Sequence, residues 1–476
     1  MLFFLLAAGV AFLPACSVSN TYKEKLNSFH QQQLVSPQVS EVLMGNGSEN
    51  DLVSWWNVFA DSLLTKLIER GIENNRTLAA AVARVEEARY LRDEAIFAML
   101  PRVNAAVGYN RNLASLAALR GLPAGFQYQT LYNAGFDASW EIDLFGRLRS
   151  DLRSRDALLE QAGYTLRDAH ISLAAEIARS YFYLAFLQEE LRVQRENADL
   201  QRETLKLIES LFAAGTVNEF DTARARALYN STLGFIPILE SDVQATIYRI
   251  TVLLGEEKFE IENELKSLKQ PPKTQAKIFV GDAAGLAARR PDVRASEAAL
   301  RAFGFAAERS ARDFLPQITL TAGWGYRSRR VEDIGENIAE SWQFMPQINW
   351  QIFDFGTLRS RYKAADARAK EALANYEQAL ITALREAQTA IFDYARRIEQ
   401  VEFLKNSAES SKRAYEISRM RYKEGLIDFL AVIQAAQDAL SYQVSSVQAE
   451  RDATIALITL YKALGGGFDY LQTVKK

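Results

Sequence analysis

The chain has one cysteine in 476 residues, Cys16, and two histidines, His30 and His170, far apart in sequence. A disulfide within one chain is therefore impossible, and Cys/His dyads or metal clusters lack ligands. Basic residues do not exceed acidic ones: 56 Lys and Arg stand against 59 Asp and Glu, a net charge of -3. That gives no basic signature for nucleic acid. There is no phosphate-binding glycine loop and no nucleophile–base pair suggested by spacing, so catalysis, metal and cofactor are not expected. His170 falls inside a helical pattern and reads as a packing or surface residue. Beyond the first 13 residues no stretch approaches 18–20 consecutive apolar residues, so no transmembrane helix is expected. If this pattern crosses a membrane, it does so as a closed β-barrel. The composition, 49% hydrophobic and 24% charged, excludes a disordered tail protein.

What is present is a duplication. Trp140–Ser150 reads WEIDLFGRLRS, and Trp350–Ser360, 210 residues later, reads WQIFDFGTLRS. Trp, Ile, Phe, Gly, Leu, Arg and Ser recur at identical spacing. The offset then holds without a gap: Gly215 matches Gly425, and Leu254-Gly255 matches Leu464-Gly465. One structural unit is used twice. In both copies an alternating run enters the motif and a long helical pattern leaves it.

Four segments alternate with period two: Arg102–Asn112, Tyr132–Asp143, Gln317–Arg327 and Trp342–Phe353. In the second, Tyr132, Ala134, Phe136, Ala138, Trp140 and Ile142 oppose Asn133, Gly135, Asp137, Ser139, Glu141 and Asp143. The lengths suit tilted membrane-spanning strands, and Trp and Tyr lie towards the ends as in an aromatic girdle. A half-buried soluble sheet also alternates, but its dry core would not be lined by polar residues and glycine. Four strands cannot close a barrel, which needs about eight or more, and an open edge in lipid leaves backbone groups unpaired. The barrel must be shared between chains; the strand count alone allows two, three or more.

Long helices are expected over Arg147–Ala214, with one internal glycine (Gly163) and no proline, and over Thr357–Glu424, with neither. Each spans 68 residues, or about 100 Å at 1.5 Å per residue, which points to coiled-coil-like packing. Many of their apolar positions are alanine, permitting close approach. Each ends in a glycine turn, Gly215-Thr216-Val217 or Gly425-Leu426-Ile427, before a return helix, Asn218–Leu254 or Asp428–Leu464. Shorter helices over 61–100 and 282–315 complete the pairs. The hairpins of strand are expected at 101–143 and 316–353, and those of helix at 144–255 and 354–464. Segments 256–281 and 465–476 form a peripheral belt, and 16–60 an extended arm.

Residues 1–13 are almost entirely apolar and lead into Leu13-Pro14-Ala15-Cys16. This is similar to a bacterial lipoprotein signal, in which residues 1–15 are removed and Cys16 becomes the lipidated N-terminus. Pro14 and the lack of a preceding basic residue depart from that pattern. Ser17, rather than Asp, after the cysteine favours the outer membrane by analogy with such signals.

Four further motifs complete the picture: the segment Arg289-Arg290-Pro291-Asp292, Phe314-Leu315-Pro316 before a strand, Asp354-Phe355-Gly356 after one, and Arg421-Tyr422-Lys423-Glu424-Gly425 before a helix tip. In this order they resemble the TolC family of outer-membrane efflux channels, and within it the lipid-anchored OprM/NodT-like type. The resemblance covers nearly the whole chain. It implies a mainly α fold with a membrane β-barrel part: a trimeric TolC-like α/β-barrel in which three chains supply the strands and a helical barrel crosses the periplasm. The implied partners are outer-membrane lipid, a periplasmic adaptor protein and an inner-membrane pump of the proton-driven kind. The implied function is a passive exit duct for tripartite efflux.

By the same resemblance, the turns at Gly215, Thr216, Val217, Gly425, Leu426 and Ile427 meet the adaptor. The pore is narrowest just after the second tip, at Leu430 and Gln434. Many relatives carry aspartate at the latter position, so Asp438, one turn on, stands in for the missing charge. Solvated coiled-coil residues are the plainer reading of all three. Arg290 and Asp292 flank Pro291 in a way that suits a helix start. Two other functions fit parts of the pattern: the outer-membrane component of an ATP-driven polypeptide secretion system, and a periplasmic coiled-coil spacer, which has no need of the four strands.

Overall fold

A computed structural model describes residues 50–115, 117, 128–256, 261–266, 268 and 283–467. Cys16, the signal segment, most of the arm and most of 256–281 and 465–476 lie outside the described residues. The main elements are helices α1 (Ser62–Asn74) and α2 (Arg76–Phe97), strands β1 (Arg102–Leu113) and β2 (Tyr128–Ile142), and helices α3 (Arg147–Ala213), α4 (Glu219–Leu254) and α5 (Pro291–Arg312). Strands β3 (Gln317–Ser328) and β4 (Glu340–Asn349) and helices α6 (Thr357–Lys423) and α7 (Phe429–Ala463) complete them. Among the described residues no helix is long and apolar enough to cross a membrane. Two compact units emerge: Arg84–Gly163 with Ala295–Glu377, and the described parts of Leu26–Ala83, Tyr164–Arg294 and Gln378–Lys476.

The first unit holds one antiparallel sheet in the order β1-β2-β3-β4. Through the middle of the sheet its register keeps each face uniform, while towards one end Arg111 pairs with Thr130 and Tyr326 with Glu340 on the apolar face. Val103 pairs with Ala138, Phe136 with Trp324, and Ile318 with Ile348, all on the apolar face. Asn104 pairs with Asp137, Ser139 with Thr321, and Thr319 with Gln347, on the polar one. β4 ends at Asn349 rather than continuing to Phe353, and it contains Pro346, as an edge strand allows.

Both sheet-to-helix junctions are built alike. The Trp140 indole N–H donates to the Met99 carbonyl at 2.8 Å, and that of Trp350 to the Phe314 carbonyl at 3.0 Å. Each acceptor lies two residues before a proline, Pro101 or Pro316. A carboxylate then caps the long helix: Asp143 accepts from the Leu148 and Arg149 amides at 3.1 and 3.0 Å, and Asp354 from the Gly356 and Leu358 amides at 3.0 and 2.5 Å. The chain reverses at Gly146 and Gly356, with φ of 81° and 96°, a left-handed backbone that suits glycine.

Three expected elements differ. The helix expected over 61–99 breaks at Asn75, whose backbone is extended (ψ 123°). The Asn75 side chain accepts from the Leu78 amide at 3.0 Å and donates to the Leu253 carbonyl at 2.8 Å. Capping a second helix here satisfies amides that one continuous helix would have bonded internally. The helix expected over 282–315 breaks at Arg290, because a residue before proline is pushed out of the helical region. The arm expected to be extended up to residue 60 is already helical from Asn50. Trp55, Trp56 and Phe59 there are almost fully buried in the second unit, with Trp55 stacked on Tyr461 at 5.4 Å.

The cap hydrogen bonds give a direct test. Asp354→Ala should lower stability by about 1 kcal/mol, the usual worth of an N-terminal cap, and Asp354→Asn, which keeps an acceptor oxygen, by less. Thermal unfolding of the detergent-solubilised protein, followed by circular dichroism, reads both.

Candidate functional site: the polar sheet face and the helix tips

In the first unit the polar sheet face carries Asn104, Asn133, Asp137 and Gln343 around glycines. Gly135 sits opposite Gly325, and a Cβ on either would collide with the neighbouring strand's backbone. This lets the two strands approach across a bare stretch of the wet face. The opposite face presents exposed Val107, Phe136, Trp324, Trp342, Phe344 and Ile348. A sheet with water on one face and hydrocarbon on the other is what this division provides for.

In the second unit the two tips share one core. Leu205, Ile208 and Ala225 pack with Tyr415, Phe429, Val432, Ile433, Ala436 and Ala439. Each turn closes in the same way. The Gly215 amide donates to Phe212 at 2.9 Å and the Thr216 amide to Leu211 at 3.0 Å; the Gly425 amide donates to Tyr422 and the Leu426 amide to Arg421, both at 2.9 Å. This is a Schellman closure, and φ of 74° and 71° explains the two glycines. Gly215, Thr216, Gly425 and Leu426 are exposed, whereas Val217 and Ile427 tuck against the shared core. The six tip residues thus split into four that face outward and two that staple the turns.

Leu430, Gln434 and Asp438 all lie exposed on one face of α7, away from Phe429, Val432, Ile433 and Ala436. The Gln434 amide donates to the Asp438 carboxylate at 3.3 Å. Helical spacing therefore brings the three together as one stripe.

Arg290 does more than start a helix. Its guanidinium donates to Asp292 at 3.0 and 2.6 Å, to Glu386 on α6 at 2.6 Å and to the Ala463 carbonyl at the end of α7 at 3.2 Å. Burial raises the Asp292 carboxyl, but the Arg290 guanidinium outweighs it and holds the group below its ordinary range. The motif ties three helices, and only its local half was legible from spacing. Beside it lies a cleft of about 760 Å³ lined by mixed charges, among them Asp168, Arg179, Arg385 and Lys462. Burial, reinforced by Asp292, raises the Asp168 carboxyl. No group of side chains able to hold a metal ion is found among the described residues.

A feature not anticipated is a line of buried amides on α3: Gln194, Asn197 and Gln201. The Asn197 amide donates to the Val193 carbonyl and to Gln443 of α7, both at 2.9 Å. Their spacing, three then four residues, is that of a coiled-coil seam, where a polar residue fixes register at some cost in stability.

A two-faced sheet whose polar side is wet, continued by helices of 67 residues or about 100 Å, defines an outer-membrane channel of the TolC-like α/β-barrel fold. Residues 67–256 and 285–466 match the family model of outer membrane efflux proteins. The chain is 30% identical over 423 residues to the toluene efflux pump outer membrane protein TtgF of Pseudomonas putida, covering 88% of this chain and 87% of that protein. It is 28% identical over 430 residues to the pyoverdine export outer membrane protein OpmQ of Pseudomonas aeruginosa, covering 89% of each. The solved outer-membrane channel OprN superposes with a TM-score of 0.86 at 32% identity, covering 92% of this chain and 97% of that one. The chain belongs to the outer membrane efflux protein family. Members of that family are channels rather than enzymes, and this chain is the outer-membrane exit component of an efflux system.

His170 provides a pH test of the second unit. Burial lowers its pKa from 6.5 to about 4, and its buried Nδ1 has no hydrogen-bond partner among the described residues. The folded chain therefore refuses a proton that the unfolded chain accepts between pH 6.5 and about 4. Stability should be flat above this window and fall through it on acidification, by at most about 3 kcal/mol and less where water reaches the ring. His170→Gln should flatten that fall in unfolding measured at pH 7, 5.5 and 4.5.

Proposed function

We propose that the chain acts as a homotrimer. Three copies of the four-stranded sheet close one barrel in the outer membrane, and the trimer passes substrates passively from a periplasmic adaptor and a proton-driven inner-membrane pump. The observation that carries this reading is the sheet itself: among the described residues β1 and β4 each have one side unpaired, and lipid does not tolerate such edges. Four strands per chain fall short of the smallest such barrel, so identical neighbours must supply the rest. Native mass of the detergent-solubilised protein tests it, and a stable monomer would end it.

The helix tips carry the periplasmic end of the duct. Gly215, Thr216, Gly425 and Leu426 are the outward residues that meet the adaptor, while Val217 and Ile427 hold the turns in shape. The stripe Leu430, Gln434 and Asp438 narrows the channel, an apolar ring followed by an amide bound to a carboxylate. That bond orients the Asp438 carboxylate one turn beyond the apolar ring. Cys16 carries the lipid that holds the N-terminus at the membrane.

Leu430→Ala with Gln434→Ala should raise single-channel conductance in planar bilayers; unchanged conductance would put the constriction elsewhere. Cys16→Ser should abolish incorporation of labelled palmitate, and undiminished labelling would remove the anchor.

A further inference from the structure

We infer that β4 of one copy pairs with β1 of the next in a single register, in which Ile348 faces Val107 and Asn349 faces Ala106, that the residues just past β4 extend this pairing with Trp350 opposite Ala105 and Ile352 opposite Val103, and that Phe97 of the second copy packs against Phe355 of the first. This rests on the trimeric reading and adds to it the contact itself.

The internal repeat converts one seam into another. In the first copy Arg102 pairs with Ser139. Moving Arg102 by the 215 residues that separate Pro101 from Pro316, and Ser139 by the 210 that separate Trp140 from Trp350, lands on Gln317 and Asn349. That is the pair found in the second hairpin. The two offsets thus convert one observed register into another without adjustment.

Applied to the β2–β3 seam inside the chain, the same operation yields the seam between chains. Ile142 pairs with Ile318 and Ala138 with Ala322. Moving the first member of each pair forward by 210 and the second back by 215 gives Ile352 with Val103, and Ile348 with Val107. Ser139 with Thr321 gives Asn349 with Ala106. Apolar-face positions meet apolar-face positions and polar-face positions meet polar-face ones, with Arg111, a charge on the apolar face of β1, falling opposite Phe344. A shift by one residue would destroy that match.

Exposure at the junctions supplies a second, independent observation. Within the chain, Arg312 donates to the Gly146 carbonyl and, at 2.7 Å, to the Ser150 hydroxyl. The same operation replaces Arg312 by Phe97, and Gly146 and Ser150 by Gly356 and Ser360. In the single chain Phe97 is 64% exposed, and Phe355 is 94% exposed where its counterpart Phe145 is 40% exposed. Space around Gly356 is open where Arg312 stands over Gly146. The surface left bare is the one the repeat says a neighbour covers. Phenylalanine in place of arginine also makes that contact apolar, suited to the apolar ring of Phe355 and its edge-on neighbour Phe353, 4.6 Å away.

Disulfide trapping tests the register. Facing residues of antiparallel strands lie about 4.5–5.5 Å apart at Cα, within the roughly 4.4–6.8 Å a disulfide spans. The full-length chain carrying Asn349→Cys with Ala106→Cys, or Ile348→Cys with Val107→Cys, should give a covalent trimer on non-reducing gels that reductant collapses. Each single variant should not. Asn349→Cys with Asn104→Cys or with Gly108→Cys, slipped by two residues either way, should cross-link at least tenfold less. Equal or stronger linkage in a slipped pair, or no linkage in a protein that is trimeric by native mass, overturns the register. A monomeric mass overturns the trimer instead.

Discussion

An amide or carbonyl in hydrocarbon without a hydrogen-bond partner costs several kcal/mol, and the rest of this structure answers to that cost. The sheet satisfies its backbone groups internally across three seams and leaves two rows open, on β1 and β4. Among the described residues nothing covers those rows. The residues flanking them are correspondingly bare: Val107 is 88% exposed, Trp342 75% and Ile348 73%. Large apolar side chains so exposed are unusual on a surface facing water and expected on one facing lipid.

The second demand is geometric. A backbone with side-chain period two must become one with period 3.6 at the membrane edge, and the first amides of a long helix must find acceptors as it does so. The duplicated motif meets this twice with the same parts: a tryptophan tying strand to preceding helix, a glycine with positive φ, and an aspartate over the first turn. The aspartates are displaced by one residue between the copies, Asp143 against Asp354, when the motifs are aligned on tryptophan. Both nevertheless accept from the equivalent leucine amide, Leu148 or Leu358. The hydrogen bond is common to both copies, while the residue position that supplies it differs.

The architecture was legible because its signals are long and repeated: four alternating segments, two unbroken helical patterns, two glycine turns. The boundaries of the long helices fell within a residue of expectation. Short-range decisions were less legible. Asn75 stops a helix because of a carbonyl at Leu253, remote in sequence, that spacing does not reveal. The tie from Arg290 to Glu386 and Ala463 is likewise a tertiary fact, whereas the Pro291 and Asp292 helix start could be read locally. Of the site residues, the stripe of Leu430, Gln434 and Asp438 follows from helical periodicity, but the inward turn of Val217 and Ile427 depends on a core shared by both tips. Gln194, Asn197 and Gln201 were visible as polar residues at seam spacing, and were masked by the alanines and aromatics that dominate the same helix.

Those amides bear on where the helical part yields. Near Ile177, Ala178, Phe182 and Leu184 the α3 seam is apolar apart from Ser180, and fully buried. Towards the tip it changes to Gln194, Asn197 and Gln201. Asn197 is matched by Gln443, but neither amide atom of Gln201 has a partner among the described residues. A buried polar group left unpaired costs about 1–3 kcal/mol, so this half of the seam is held less firmly than the other. Segments that move are drawn from the less stable end of a structure. The packing gradient along α3 thus runs from the firmer seam around Phe182 to the weaker one on the side of Gly215.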